Sequence, residues 1–199
     1  MKFYPTTLSD AWLIELEPAR DARGFFARTF CVDELTSRGL ETNYPQHSVS
    51  FSTKKGTLRG MHYQCDPHSE VKLVRCVKGA IWDVIIDIRP TSPTFCGLEG
   101  FELSGENGRQ LYIPKGFAHG FQTLSDDVEV SYLISERYAP QAARGIRYDD
   151  PRFAINWPLP VTQIADKDLT GPFSRSRHTN DRCSYVDPSG LKRLPIILG

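Results

Sequence analysis

The stretch from Gly108 to His119, GRQLYIPKGFAH, decides the fold of this chain. Leu111 and Ile113 alternate with other residues in the way that is typical of a β-strand with one apolar face. The Pro-Lys-Gly sequence that follows predicts a tight turn. We therefore expect a second strand after the turn, with His119 facing the mouth of a β-barrel. The alternative for this segment alone is a surface hairpin with an incidental histidine.

Composition and charge limit the class of protein. The 199 residues are 40% hydrophobic, which is enough for one sizeable core, and we expect one domain. The 24 basic residues balance the 24 acidic ones, so we expect neither a nucleic-acid partner nor an anionic membrane surface. Residues 1–18 contain no long apolar run, so we expect neither a secretion signal nor a membrane anchor.

The cysteines are odd in number, widely spaced and without a CxxC pair. They are Cys31, Cys65, Cys76, Cys96 and Cys183. This pattern favours reduced thiols and a cytoplasmic location over a disulfide scaffold or a zinc knuckle.

Short segments rich in Val, Ile and Tyr are separated by Gly, Pro, Asn or Asp, and this rhythm predicts an all-β sandwich or barrel. The predicted strands are Lys72–Val77, Ala80–Ile88, Gly100–Leu103, Gln110–Ile113 and Val128–Ile134. One short helix is predicted over Val32–Arg38, since acidic residues lie near its start and Gly39 follows its end.

The pattern changes beyond Asp150, where repeated prolines predict loops that wrap over the barrel without a regular element. We expect residues 1–173 to form the domain. Residues 174–199 are expected to form a C-terminal tail, or an arm packed on a neighbour.

The glycine, proline and histidine spacing of the opening stretch is similar to the second sequence motif of the cupin family. The resemblance implies an all-β, cupin-type double-stranded β-helix, or jelly-roll barrel, with short peripheral helices. The first motif of metal-binding cupins contains His-x-His and a glutamate. Here His62 is present, but Gln64 holds the second histidine position and Glu70 has a displaced spacing. An amide is a poor ligand for a transition metal, so we predict no metal and no cofactor. A metal-dependent cupin enzyme is the alternative.

Without a metal, His62 is a candidate for proton transfer, because histidine titrates nearest to neutral pH. Arg59 lies three residues before it, and Lys72 follows on the next predicted strand, where an ammonium can stabilise a developing enolate oxygen. Taken singly, His62 fits a hydrogen-bonded core histidine and Lys72 a solvated strand residue equally well. Their coincidence with the barrel motif favours a catalytic site.

Most of residues 3–172 resembles the dTDP-4-dehydrorhamnose 3,5-epimerase family. The motifs that carry the resemblance are DARGFF at 21–26, KKGTLRGMHYQ at 54–64, VKLVRCVKGAIWDVIIDIR at 71–89, SPTF at 92–95, IPKGFAHGF at 113–121, the tyrosine pair Tyr132 and Tyr138, DDP at 149–151 and ADKD at 165–168. The resemblance implies an isomerase that inverts carbon 3, carbon 5 or both in a nucleotide-diphosphate 4-keto-6-deoxy sugar. It also implies a role in deoxysugar and cell-envelope polysaccharide synthesis.

The catalytic roles follow from the same resemblance. His62 matches the family's base and Asp168 the carboxylate that orients it. Tyr132 matches the acid on the opposite face of the sugar, Lys72 the enolate stabiliser and Tyr138 a neighbouring pocket residue. From the residues alone, tyrosines such as these are more often barrel-wall residues, and such an aspartate is more often a turn or helix-cap residue.

The resemblance also implies substrate-binding residues and a partner. Arg23 and Arg59 are candidates for the diphosphate, because a guanidinium matches phosphate oxygens. The other predicted substrate-binding residues are Phe26, which could stack on the base, His119 and Lys167 as helpers at the diphosphate, and Gln46. An ion pair with Asp21 is the alternative for Arg23. The family's first strands commonly complete the pocket of a partner subunit, so the resemblance implies a homodimer.

Two residues depart from the family pattern at the nucleotide pocket. Arg28 stands where the family usually has a glutamate that accepts the N–H of thymine, and a guanidinium accepts no hydrogen bond. Ser48 stands where asparagine is usual. A CDP- or GDP-linked 4-keto sugar is therefore an alternative substrate, although Arg28 turned toward solvent is almost equally consistent. A non-catalytic sugar-binding cupin is the remaining alternative.

Overall fold

The stretch around Gly108–His119 forms a strand, a turn and a second strand. These are β10 (Gln110–Ile113) and β11 (Phe117–Thr123). Gly116, in the turn between them, has a φ of +76°, which glycine adopts without strain. Leu111 and Ile113 are both buried in the main core, as the alternation predicts.

The structure, a computed structural model, describes residues 1–170. It contains two larger antiparallel sheets and one hairpin. The first sheet has the order β1 (Lys2–Pro5), β2 (Trp12–Glu15), β10, β7 (Lys72–Lys78), β12 (Val128–Ile134) and β5 (Gln46–Ser52). The second has the order β13 (Ala143–Gly145), β6 (Leu58–Gln64), β11, β8 (Ala80–Asp87) and β9 (Leu98–Ser104). The hairpin joins β3 (Ala19–Asp21) to β4 (Gly24–Phe26).

Side chains from both larger sheets meet in the main core. Val74 and Val130 come from the six-stranded sheet, and Ile85 and Phe121 come from the five-stranded sheet. Each of these side chains is at most 2% exposed. The two sheets therefore close on each other as a jelly roll, and the all-β expectation is confirmed.

The outer faces of the sheets are covered by segments outside the strands. Helix α1 (Val32–Thr36) packs Leu35 against Tyr112 of the six-stranded sheet. The helix is two residues shorter than predicted, since Arg38 and Gly39 donate to carbonyls three residues back, as in a 3₁₀ turn.

Residues 139–157 cover the outer face of the five-stranded sheet. Ala142, Ile146 and Phe153 from this segment pack with Met61 of β6. Beyond Asp150, Phe153, Ile155 and Trp157 pack on this face, so the expectation that the proline-rich region wraps over the barrel is confirmed for these residues.

The same region contains a helix that we did not expect. Helix α2 spans Asp166–Leu169, in the part of the chain that was predicted to have no regular element. The prolines at 158, 160 and 172 lie on either side of it, and none falls within its four residues, so they do not prevent one helical turn.

Among residues 1–170, Cys31, Cys76 and Cys96 form no disulfide. Cys65 is disulfide-bonded, so the expectation of reduced thiols is wrong at that position. Widely spaced cysteines do not define their pairing, so no local pattern marks this bond.

The predicted tail, residues 174–199, lies outside the described residues, and the domain boundary at 173 stays a prediction. Within residues 1–170, no helix is both long enough and apolar enough to cross a bilayer.

Candidate active site

His62 and Asp168 form a hydrogen-bonded pair in the wall of the barrel. His62 lies on β6, and its Nε2 atom is 2.7 Å from Oδ1 of Asp168 on α2. The second carboxylate oxygen accepts the backbone N–H of Gly60 at 3.3 Å. The side chain of Asp168 is 5% exposed and that of His62 is 39% exposed. The pair therefore joins a buried, fixed carboxylate to an imidazole that faces open space.

Backbone bonds bring α2 to this position. Thr57 pairs with Gln163 in an isolated parallel bridge. The N–H of Leu58 donates to the carbonyl of Gln163 at 2.8 Å. Since these bonds hold the chain along the start of β6, the helix begins beside His62.

Gly60 allows β6 and β11 to approach each other closely behind the pair. Its φ is +126°, and a Cβ at this position would lie 2.5 Å from Cα of Gly120 and 2.9 Å from the carbonyl oxygen of His119. Only glycine fits such a contact. The register of the two strands then sets His62 opposite His119.

The surroundings of Asp168 keep its carboxyl group ionised. Burial acts to raise the pKa of Asp168, but the hydrogen bond and the charge of His62, with the N–H of Gly60 and the charge of Lys167, lower the pKa below its usual value. An ionised carboxylate accepts hydrogen bonds only, so Nε2 of His62 carries the hydrogen of the pair. The lone pair of the neutral imidazole is then on Nδ1.

Tyr132 on β12 supplies a partly buried phenol. Its hydroxyl lies 3.0 Å from the hydroxyl of Ser50 on β5. Burial raises the pKa of Tyr132 above its usual value, and the hydrogen bond with Ser50 only partly offsets this effect. The phenol therefore stays protonated at neutral pH and can act as an acid.

Lys72 on β7 supplies a cation. Its Nζ atom is 2.9 Å from Oε1 of Glu70, and both side chains are 11% exposed. Nζ also lies 3.5 Å from the carbonyl oxygen of His62. The ammonium is thus held close to the strand that carries the histidine.

All four predicted catalytic residues border a single cavity of about 910 Å³. Six of the predicted substrate-binding residues line the same cavity. They are Gln46, Ser48, Arg59, His119, Tyr138 and Lys167. The residues predicted for proton transfer and most of those predicted for substrate binding therefore line the same cavity.

His119 is the most deeply placed of these residues. It is buried, and its Nε2 atom lies 2.9 Å from Oδ2 of Asp83, a fully buried carboxylate. Its ring contacts that of Tyr132 edge to face, with 6.4 Å between the centroids. The paired strands β6 and β11 therefore each carry a histidine that is bonded to a carboxylate, His62 to Asp168 and His119 to Asp83.

Comparison with known proteins identifies the family. The sequence model of the dTDP-4-dehydrorhamnose 3,5-epimerase family matches residues 5–175. The chain is 42% identical over 174 residues to a dTDP-4-dehydrorhamnose 3,5-epimerase of Shigella flexneri, a match that covers 86% of this chain and 94% of that protein.

The chain belongs to the dTDP-4-dehydrorhamnose 3,5-epimerase family.

Solved structures of dTDP-sugar epimerases agree with this assignment. A dTDP-4-dehydrorhamnose 3,5-epimerase of Bacillus anthracis, solved with TDP and pyrophosphate bound, superposes with a TM-score of 0.84 at 40% identity, covering 86% of this chain and 98% of that one. A dTDP-6-deoxy-D-glucose-3,5-epimerase of Legionella pneumophila, in complex with dTDP-4-keto-L-rhamnose, gives 0.80 at 39% identity, covering 85% and 90%. The predicted cupin-type fold is confirmed.

Three predicted substrate-binding residues of this epimerase-family chain lie away from its own cavity. Arg23 is 89% exposed and pairs with Asp21 at 2.5 Å, which is the alternative given in the sequence analysis. Phe26 is 80% exposed at the end of the hairpin. Arg28 pairs with Glu34 at 3.2 Å. The chain alone does not bring these side chains to the site, and their roles stay predictions.

Gln64 and Glu70, the two positions that differ from the metal-binding cupin motif, are hydrogen-bonded to each other. Nε2 of Gln64 donates to Oε2 of Glu70 at 2.9 Å. Among residues 1–170, no group of three or more His, Cys, Asp and Glu side chains is arranged to hold a metal ion.

Sequence reasoning missed three residues that contact the site. Ser50 contacts Tyr132, Glu70 contacts Lys72, and Asp83 contacts His119. Ser50 could have been found, because it follows the predicted pocket residue Ser48 by two residues, and residues two apart on a strand share a face. Glu70 also had a local signal, because it precedes Lys72 by two residues. The contact between Asp83 and His119 depends on pairing between β8 and β11 and has no local signal.

Proposed function

We propose that this chain epimerises carbons 3 and 5 of a dTDP-linked 4-keto-6-deoxy sugar, dTDP-4-dehydro-6-deoxyglucose or a close analogue. The observation that carries the proposal is the placement of the His62–Asp168 pair, Tyr132 and Lys72 around one cavity. The family match and the relatives' names support the substrate class.

The first step is removal of a proton from carbon. The ketone at carbon 4 makes the hydrogens on carbons 3 and 5 acidic, because their loss gives an enolate. Nδ1 of His62 takes the proton, and the electrons of the C–H bond move to the oxygen on carbon 4. Asp168 stabilises the imidazolium that forms, since the two are already 2.7 Å apart.

The second step is delivery of a proton to the opposite face. The Lys72 ammonium donates a hydrogen bond to the enolate oxygen while that oxygen is negatively charged. Electrons then return from oxygen to carbon, and the Tyr132 phenol gives its proton to that carbon. Exchange with water removes the proton from His62 and restores the one on Tyr132. The same groups serve the second carbon when the sugar ring shifts between steps.

The nucleotide diphosphate lies at the open side of this arrangement. Arg59 is fixed there, because its Nε donates to Ser52 at 3.0 Å and one Nη donates to the carbonyl of Phe51 at 2.8 Å. A fixed guanidinium suits phosphate oxygens. The TDP bound to the Bacillus anthracis relative favours a dTDP substrate over the CDP- and GDP-linked alternatives.

The test is product formation from dTDP-4-dehydro-6-deoxyglucose in deuterated water, with the position of deuterium read by NMR. Deuterium at carbons 3 and 5 with inversion at both supports the proposal. Deuterium at carbon 3 alone restricts the activity to one centre. The CDP- and GDP-linked analogues, run in parallel, must turn over more slowly, and the reverse order would overturn the dTDP assignment.

The proposal includes a cytoplasmic homodimer in which the β3–β4 hairpin of one subunit completes the pocket of the other. The exposure of Arg23 and Phe26, away from the cavity of their own chain, supports this arrangement. Cys31, Cys76 and Cys96, which form no disulfide, support the compartment, whereas the disulfide-bonded Cys65 does not.

Coexpression of two inactive variants tests the shared pocket. His62→Ala removes the base, and Arg23→Ala removes a candidate ligand of the diphosphate. If the hairpin is exchanged, a mixed dimer contains one site in which both residues are intact. Restored activity in the mixed dimer, and none in either pure variant, supports the exchange. Full activity of Arg23→Ala alone, or a monomer in light scattering, contradicts it. Cell fractionation followed by immunodetection checks the compartment.

A further inference from the structure

Lys72 is held by polar contacts that continue through Glu70, which also lines the cavity, to Gln64. Its ammonium contacts Oε1 of Glu70 at 2.9 Å and the carbonyl oxygen of His62 at 3.5 Å. Both charged side chains are 11% exposed, so each is largely withdrawn from water. Loss of the carboxylate from such a pair leaves an ammonium that is poorly solvated and unpaired.

Glu70 is fixed in turn by Gln64. Oε2 of Glu70 accepts Nε2 of Gln64 at 2.9 Å, while Oε1 of Gln64 accepts the backbone N–H of Ala139 at 2.6 Å. The N–H of Ala139 therefore determines which way the Gln64 amide points. Consequently Glu70 must present an acceptor to Gln64 and a second acceptor to Lys72. A carboxylate meets both requirements, and a carboxamide meets only one.

The same amide ties this network to another wall of the cavity. Nε2 of Gln64 also contacts the carbonyl oxygens of His68 at 3.1 Å and Arg137 at 3.3 Å. Arg137 and Ala139 flank Tyr138, which lines the cavity beside Lys72. These bonds thus fix the start of β7, where Lys72 lies, relative to the segment that carries Tyr138.

We propose that Glu70, supported by Gln64, is a positioning residue that aims the Lys72 ammonium at the enolate oxygen. This inference rests on the proposed epimerase function. An ammonium has three N–H groups, and the contacts to Glu70 and His62 occupy two of them. The third is left for an oxygen in the cavity. Glu70 acts through Lys72 and does not itself touch the reacting atoms.

A double-mutant cycle tests the inference. Glu70→Gln is measured in the wild-type background and in Lys72→Ala, by product formation and by deuterium exchange at carbon. In the wild-type background we expect kcat to fall about tenfold or more, because a catalytic group displaced by about 1 Å costs up to about 100-fold. KM should change by less than about threefold. In the Lys72→Ala background the same substitution should change kcat by less than about twofold, since its target is gone.

Two controls separate positioning from a structural role. Glu106→Gln removes the same charge from an exposed position and should leave kcat and the thermal midpoint unchanged. If Glu70→Gln does not fold, Glu70→Asp is used in the same cycle, because it keeps both acceptors on a shorter side chain. Equal losses in both backgrounds, or activity of the Glu70 variant equal to that of Glu106→Gln, would overturn the inference. Absence of epimerisation in the wild-type protein would instead refute the proposed function.

Discussion

Asp168 holds Nε2 of His62 at 2.7 Å, although the two residues are 106 positions apart in the chain. This contact determines which ring nitrogen carries the hydrogen. Asp168→Asn places an amide N–H where the carboxylate was and favours the wrong tautomer. We expect kcat for epimerisation to fall about 10³-fold or more, by analogy with carboxylate-to-amide changes in catalytic triads. Steady-state kinetics measure this effect.

The matched control is Asp166→Asn, an exposed aspartate of the same helix. It should retain wild-type activity. A large loss in the control, or none in Asp168→Asn, would count against the orienting role.

The lowered pKa of Asp168 makes part of the stability depend on pH. A carboxyl group whose pKa is lowered in the folded state stabilises the protein at pH values above its ordinary pKa, 3.8. That contribution is lost as pH falls through the folded value. The free energy of unfolding of the wild-type protein should exceed that of Asp168→Asn by about 1–3 kcal/mol between pH 8 and pH 5. The difference should shrink below pH 3.8.

Urea denaturation of both proteins across this range measures the difference. A gap that remains constant down to pH 3 would show that the hydrogen bond, and not the ionised carboxylate, is responsible.

Tyr132→Phe should separate proton removal from inversion. The variant lacks the proton donor, but the His62–Asp168 pair is unchanged. Deuterium exchange at carbon should therefore persist, whereas inversion should slow by about 10²-fold to 10⁴-fold. NMR of the recovered substrate in deuterated water reports both quantities. Exchange and inversion that fall together would indicate that the phenol also takes part in proton removal.

Gly60→Ala should destabilise the protein through a clash between strands. Its Cβ would lie 2.5 Å from Cα of Gly120, a backbone atom that cannot move aside alone. Gly24→Ala is the matched control, because Gly24 has a φ of +130° and nothing within 4 Å of its added Cβ. Both variants share the backbone strain of positive φ, about 1–2 kcal/mol.

Thermal denaturation should therefore give a clearly lower midpoint for Gly60→Ala than for Gly24→Ala. Equal midpoints would mean that β6 and β11 can separate without cost.

Local sequence was sufficient for much of the fold. The bounds of β10 and β12 agree with the predicted strands, because alternating apolar residues and turn residues define them directly. β9 extends beyond the predicted Gly100–Leu103 to Leu98–Ser104, since pairing with β8 adds residues of weak strand propensity. Helix α2 was missed because one turn of helix gives no periodic pattern.

The site was predictable where a family motif marked the residue, as for His62, Lys72, Tyr132 and Asp168. It was not predictable where long-range pairing supplies the contact, as for Asp83 with His119. Arg28 illustrates a further limit. Its role was inferred from the hydrogen bonds that a nucleotide base can make. In the chain alone its guanidinium pairs with Glu34 at 3.2 Å.

The position of Asp168 after the last barrel strand has a consequence for how activity can be lost. Every strand through β13 ends by Gly145, so α2 contributes a carboxylate to the site but no strand to either sheet. A change confined to α2 would therefore remove the partner of the imidazole at position 62 while both sheets keep their pairing. The barrel and its chemistry depend on separate parts of the chain.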